Sequence, residues 1–173
     1  MDLQLDVNFG VQVSAWFYQL FLLEFFKTGD KAFAVFAFTA YGIPMIYSGQ
    51  ETGLDKRLAF FEKDSIDWTD DKAYTPFYQK LVKLRKDNPA LWSGHYGGIP
   101  HKIETGNSAV LAYSRTKDDN KAIVIINMSD KDQAIQLDSQ VSSVKGTDYM
   151  TGKDVNLGEI NSLQPYQYIV LTL

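Results

Sequence analysis

Gly42-Ile43-Pro44-Met45-Ile46-Tyr47-Ser48-Gly49-Gln50-Glu51 holds a short apolar run between two breaks. Gly-Ile-Pro introduces Met45-Ile46-Tyr47, Ser48-Gly49 stops it, and two polar side chains, Gln50 and Glu51, follow. The run is too short for a helix, and Pro44 suits a strand's first residue, where its missing N–H costs no ladder bond. The pattern predicts a strand over 45–47 buried on both faces, as in a parallel sheet. Residues 31–40, rich in alanine and phenylalanine, predict a helix feeding that strand, which makes half of a βαβ unit. In such sheets, sites form just past the C-terminal ends of strands, where Gln50 and Glu51 stand.

Gly29-Asp30 reads as the turn and N-cap of that first helix, and Gly42 as its left-handed stop. A second helix is predicted over 73–87, capped by Thr69-Asp70-Asp71 and ended by Asn88-Pro89. Its apolar positions Phe77, Tyr78, Leu81, Val82 and Leu84 fall at helical spacing, which leaves Lys80, Lys83, Arg85 and Lys86 to face solvent. Residues 56–68 mix charge with scattered apolar side chains and predict short turns. Beyond Gly94 the texture changes. Alternating or β-branched runs at 99–104, 110–115, 122–128, 134–137, 144–147 and 166–173 are separated by turn residues such as Asp118-Asp119-Asn120 and Thr151-Gly152-Lys153. Strands at this spacing predict an antiparallel sandwich, with Ile123-Val124-Ile125-Ile126 as a central strand. The chain thus divides into 1–93, mostly helical, and 94–173, all β.

The totals narrow the function. The 173 residues include 45% apolar and 14% aromatic side chains, ample for a core, and no cysteine, which excludes disulfides and Cys-based metal sites. The net charge of −4 supplies no basic field, so nucleic acid is not an expected partner. The start, Met1-Asp2-Leu3-Gln4-Leu5-Asp6, lacks the basic region of a signal peptide. The apolar run over 11–26 is interrupted by Gln12, Gln19 and Glu24 and falls short of a span of about 20 residues, so no membrane segment is expected. The compartment stays open. A run so apolar all round predicts a helix buried on most faces.

Gly-x-Pro-x-Ile-Tyr-x-Gly-Gln-Glu resembles the eighth-strand motif of the α-amylase family, glycoside hydrolase family 13. Phe60-Phe61-Glu62-Lys63-Asp64-Ser65-Ile66-Asp67-Trp68 resembles the segment after that strand, and residues 74–91 resemble the last barrel helix and its exit. The resemblance runs from about Gly29 onward and begins abruptly, which raises the expectation of a frame change or rearrangement just upstream. It implies an α+β chain: a partial (β/α)8-barrel remnant followed by the C-terminal β-sandwich. It also implies a full-length relative that hydrolyses or transfers α-glucosidic linkages in starch, glycogen or maltooligosaccharides. No cofactor is expected; the resemblance leaves calcium open for the full-length family, and no site for it is evident in this sequence.

Retaining glycoside hydrolysis needs two carboxyl groups about 5–5.5 Å apart, one a nucleophile and the other an acid with a raised pKa. The resemblance puts these on strands four and five, with a third Asp after strand seven, all upstream of the residues that match. No catalytic residue is therefore assigned, and the chain alone is expected to be inactive. Glu51, Asp55, Asp64 and Asp67 cluster near one strand end, where loop solvation and hydrogen bonding are their expected roles. Tyr47, Gln50, Glu51 and Trp68 are the candidates for contacting substrate or supporting a site. Trp92 and Tyr96 join Trp68 as aromatics that could meet a sugar face, or could fill a domain junction instead. His95 and His101 do not make a metal-ligand pattern. Two alternatives remain: a non-catalytic carbohydrate-binding or interaction module, and an inert remnant. The incomplete barrel further predicts that residues 1–26 cover the gap, or that two copies associate through it.

Overall fold

The computed structural model describes residues 29–54, 56, 58–59, 61–68 and 74–173. The expected cap at 69–71 and the apolar run over 11–26 lie outside them.

Helix α1, Asp30–Thr39, starts with an acid in its first turn, favourable beside the positive end of the helix dipole. Asp30 Oδ1 accepts the Lys31 N–H at 2.8 Å. Ala32, Ala34, Val35, Phe38 and Thr39 are buried. The helix does not stop through a left-handed Gly42. The backbone turns extended at Ala40 (φ −65°, ψ 166°), whose N–H still reaches Phe36 O at 2.8 Å. Arginine side chains take the terminal carbonyls that a glycine cap would have satisfied.

Residues 43–47 are extended, and exposure alternates along them as in a strand. Ile43 and Met45 point outward, 87% and 51% exposed, while Ile46 packs on the helical core. Among the described residues no strand pairs with this segment, and every strand pair is antiparallel. Among the described residues, the expected doubly buried parallel strand is therefore a segment without a ladder partner, with Ile43 and Met45 exposed. Ile46, on its inner face, packs on the core that α1 shares with helix α2, Tyr74–Asp87.

Tyr78, Leu81 and Leu84 are the buried side chains of α2. Val82, expected on the core face, is exposed. Arg85, expected in solvent, is half-buried and bonded to Phe38 O at 2.8 Å and to Ser93 Oγ at 2.6 Å. Arg85 follows Leu81 by four and Tyr78 by seven residues, so helical geometry puts it on the buried stripe. Lys80 also turns inward, donating to Met150 O at 2.8 Å. Asn88 ends the helix and caps a single turn, Pro89–Leu91, by accepting the Ala90 N–H.

The β region is an antiparallel sandwich. Strands β1 (Pro100–Lys102), β2 (Val110–Lys117), β3 (Asn120–Asn127) and β8 (Tyr168–Thr172) form a sheet in the order β1-β2-β3-β8. Two small two-stranded sheets, β4 (Gln133–Ala134) with β7 (Ser162–Leu163) and β5 (Lys145–Thr147) with β6 (Asp154–Asn156), accompany it. A short helix α3, Ser139–Ser142, is capped by Asp138 Oδ1, which accepts from Gln140 and Val141. Strand β3 is central, and its two faces serve two cores. Ala122, Val124 and Ile126 face the helices, while Ile123 and Ile125 belong with Leu157, Leu163 and Leu171 to a second core on the other face. A strand covered on both faces reads as an unbroken apolar run, which is what 123–126 is. The acidic turn Asp118-Asp119 is the tip of the β2–β3 hairpin, with Lys117 opposite Asn120.

Candidate functional site

The predicted site residues fall into two groups. Tyr47, Gln50 and Glu51 come together in one tight turn. Gly49 begins it with φ 102°, a left-handed conformation open to glycine, and a Cβ there would stand 2.7 Å from the Leu54 side chain. A single 3-10 turn, Gln50–Thr52, follows. Gln50 Oε1 accepts the Tyr47 N–H at 2.8 Å, and Glu51 Oε2 accepts the Gly49 N–H at 3.0 Å. Thr75 Oγ1 of α2 donates to Glu51 O at 2.8 Å and ties the turn to the helix. Both polar side chains are therefore engaged in holding their own loop. Trp68 stands apart from this group, on the extended stretch after Asp64, 60% exposed and with no hydrogen bond to the other three.

Between this loop and α2 lies an open groove of about 360 Å³, lined by Ile46, Glu51, Tyr78, Val82 and Lys83 among others. Its walls are chiefly apolar, with one carboxylate, Glu51, at the rim. A pair of acids across a sugar is not built there. Asp64 is engaged elsewhere. It accepts from Lys56 Nζ at 2.6 Å, Ala59 N at 3.0 Å and Ser65 N at 2.8 Å. The Lys56 bond, then the two backbone bonds, hold its carboxyl down at about 2, the opposite of what a general acid requires. Asp55 lies outside the described residues. Among the described residues no three His, Asp or Glu side chains converge to hold a metal. No helix among them is long and apolar enough to cross a membrane.

The most elaborate polar cluster is one the sequence reading missed. Arg115 of β2 is fully buried, at 0% exposure. Its Nε donates to Gly98 O at 2.8 Å, and one terminal nitrogen donates to Thr39 O and Ala40 O at 2.9 Å and to Leu91 O at 3.2 Å. The other terminal nitrogen reaches Trp92 O. Beside it, the Tyr113 hydroxyl and Thr39 Oγ1 share a 2.6 Å hydrogen bond. Among the described residues neither Arg85 nor Arg115 meets a carboxylate. Burial first, and the Arg85 charge second, pull Arg115 down to about 10, so it stays cationic at neutral pH. Burial pushes the Tyr113 phenol upward and keeps it neutral. The signal in the sequence was register. On β2 the odd positions Leu111 and Tyr113 face the helices, and Arg115 continues that row.

Close backbone packing makes room for Arg115. A Cβ on Gly97 would lie 1.8 Å from Trp92 O, one of the carbonyls the guanidinium uses. Trp92 and Tyr96, the junction candidates, are 41% and 64% exposed. The Trp92 indole N–H donates to Lys86 O at 3.3 Å, and Tyr96 stacks near His95 with ring centres 3.9 Å apart. The junction is held by Arg115 and the backbone of 89–98, with these rings at its edge.

Among the described residues, a helical layer is fastened to an antiparallel sandwich through Arg115, with the polar turn Gln50–Thr52 at the side of that layer. Residues 102–170 match the family described as Maltogenic Amylase, C-terminal domain. The cyclomaltodextrinase of Thermoanaerobacter pseudethanolicus is 30% identical over 150 residues, covering 82% of this chain and 24% of that protein. Alpha-amylase MalA of Haloarcula japonica is 29% identical over 136 residues, 77% of this chain and 19% of its own length. Among solved structures, a noncanonic maltogenic alpha-amylase of Thermotoga neapolitana superposes with a TM-score of 0.67 at 15% identity, over 83% of this chain and 36% of that one. The chain is homologous to α-amylase-family glycoside hydrolases and carries their C-terminal β-sandwich domain. It spans a quarter or less of the length of these curated relatives.

Proposed function

We propose that this chain is the C-terminal portion of an α-amylase-like glycoside hydrolase acting on α-glucans, and that it contributes scaffold rather than chemistry. Residues 29–93 correspond to the end of the barrel, with 43–47 in the place of its last strand. Residues 94–173 are the sandwich that braces it. Tyr47, Gln50 and Glu51 shape the loop at the barrel mouth, and Trp68 offers an exposed ring beyond it. By itself the chain does not cleave α-glucosidic bonds and needs no cofactor.

The observation that carries this reading is the state of Glu51. Its carboxylate is hydrogen-bonded back to Gly49 N at 3.0 Å, inside its own turn. The other described acid near the loop with a defined role, Asp64, is paired with Lys56. Retaining cleavage requires two acids facing each other across the bond, and neither group is free to be one of them. A carbohydrate-binding role is the second reading, favoured by the exposure of Trp68, Trp92 and Tyr96. Incubation with a chromogenic maltoside and calorimetric titration with maltoheptaose separate the two. Neither turnover nor binding is expected from scaffold. Saturable binding without turnover would make the chain a binding module.

A further inference from the structure

The carbonyls bound by Arg115 and Arg85 belong to segments far apart in the chain. Arg115 joins Thr39 and Ala40 at the end of α1, Leu91 and Trp92 after α2, and Gly98 before β1. Arg85 joins Phe38 and Gly42 from α2, and Ser93 Oγ donates to Gly42 O at 2.7 Å. The exposed carbonyl end of α1 is thus closed by two cations, one from the helical layer and one from the sandwich. Gly42 is also the first residue of the loop that carries Gln50 and Glu51.

We propose that Arg85 and Arg115 form a double latch through which the sandwich fixes where the 42–54 loop leaves α1. Arg115 and Arg85 are positioning residues in this scheme and touch no ligand. The latch holds through backbone oxygens and one side-chain oxygen, Ser93 Oγ, with no carboxylate among the described residues. A guanidinium can serve this many acceptors because its donors are spread in a rigid fork, and an ammonium cannot. The Tyr41 ring, 5.5 Å from the Arg115 carbon, closes one side of the cluster. Burying a cation without an acid is costly unless every donor is satisfied, so loss of one set of carbonyls releases the whole arrangement. The sheet below has its own core of Ile123, Ile125, Leu163 and Leu171 on the far face, which does not depend on the latch. Release therefore frees the loop before it unfolds the sandwich. This inference stands whether or not the chain belongs to an α-glucan enzyme.

Amide hydrogen exchange on the full chain, comparing wild type with Arg115→Lys, Arg115→Met and Arg85→Met, tests it. The protected amides of Ala40, Gln50, Gly53 and Leu54, which donate to Phe36, Tyr47, Gln50 and Gly49, report on the loop and its root. Those of Ile123 and Ile125, in register with β2 and β8, report on the sheet. In Arg115→Met the loop amides exchange at least about tenfold faster while the sheet amides change by less than about threefold, the pattern of local opening. Arg115→Lys behaves like Arg115→Met. Arg85→Met, which leaves the fully buried site intact, moves the same loop amides by a smaller factor and serves if Arg115→Met does not fold. Equal acceleration of loop and sheet, no change in the loop, or full rescue by lysine would each overturn the latch.

Discussion

Single residues decide how this chain is held together. Gly97 gives Trp92 O room to reach Arg115, and Gly97→Ala should cost about 1–3 kcal/mol in urea unfolding, because backbone rather than a movable side chain blocks the new methyl. An unchanged midpoint would show that the close approach is not needed. Glu51 is read here as a loop-former. Glu51→Gln keeps an oxygen for the Gly49 N–H and should leave that amide protected, whereas Glu51→Ala should speed its exchange; equal behaviour of the two would remove the side chain from the turn. Asp64 sets a pH dependence. Its carboxyl is lowered from 3.8 to about 2 in the folded chain, so its contribution is fully present above about pH 4 and lost as pH falls through 2. The Ala59 and Ser65 amides should shift in NMR spectra over that window and stay fixed between pH 5 and 7. The two arginines were the least legible residues. Charge argued for solvent, while position on the helix stripe and the strand face argued for burial, and position prevailed because backbone carbonyls stood ready as partners.

Among elements, those with local signals were the easiest to read. The helices at 31–40 and 73–87 and most of the strands beyond Gly94 follow from periodicity and turn residues, and they stand as Asp30–Thr39, Tyr74–Asp87 and the antiparallel sheet. The strands β6 and β7 escaped because at three and two residues, Asp154-Val155-Asn156 and Ser162-Leu163, each offers a single apolar side chain and no run to read. The segment at 43–47 shows the opposite failure. Its pattern announced a strand, and the backbone is extended, but a strand exists by its hydrogen-bonded partner, which nothing in a single sequence supplies. Helix α2 is the element on which the helical layer rests. Leu81 is fully buried at its centre, and Leu81→Ala should destabilise the chain by about 2–5 kcal/mol in denaturant unfolding. A loss below about 1 kcal/mol would mean that the helix packs more loosely than described.

At the scale of the molecule, the described residues form a sheet with two different covers. One face of β3 supports the helices and the other the two small two-stranded sheets, and Arg115 crosses the first of these contacts. The open side of the helical layer, with Ile43 and Met45 outward, is the feature that points beyond the chain. Apolar side chains on a segment with no ladder partner among the described residues invite cover, from residues 1–26 or from a second copy. Association in sedimentation that rises with concentration and weakens in Met45→Lys would support the second copy, and a strict monomer whose residues 11–26 are open to protease would contradict both. The kinship with α-amylases rested on motifs at 42–51, 60–68 and 74–91 and on the β texture, so it was open to sequence reading; the way the parts are fastened was not. The proposal that remains to be tested is that this chain braces an α-glucan enzyme without performing its chemistry. Release of chromophore from a maltoside by the purified chain tests it most directly. The account predicts a rate equal to the buffer blank. A rate above that blank which disappears in Glu51→Gln would contradict it.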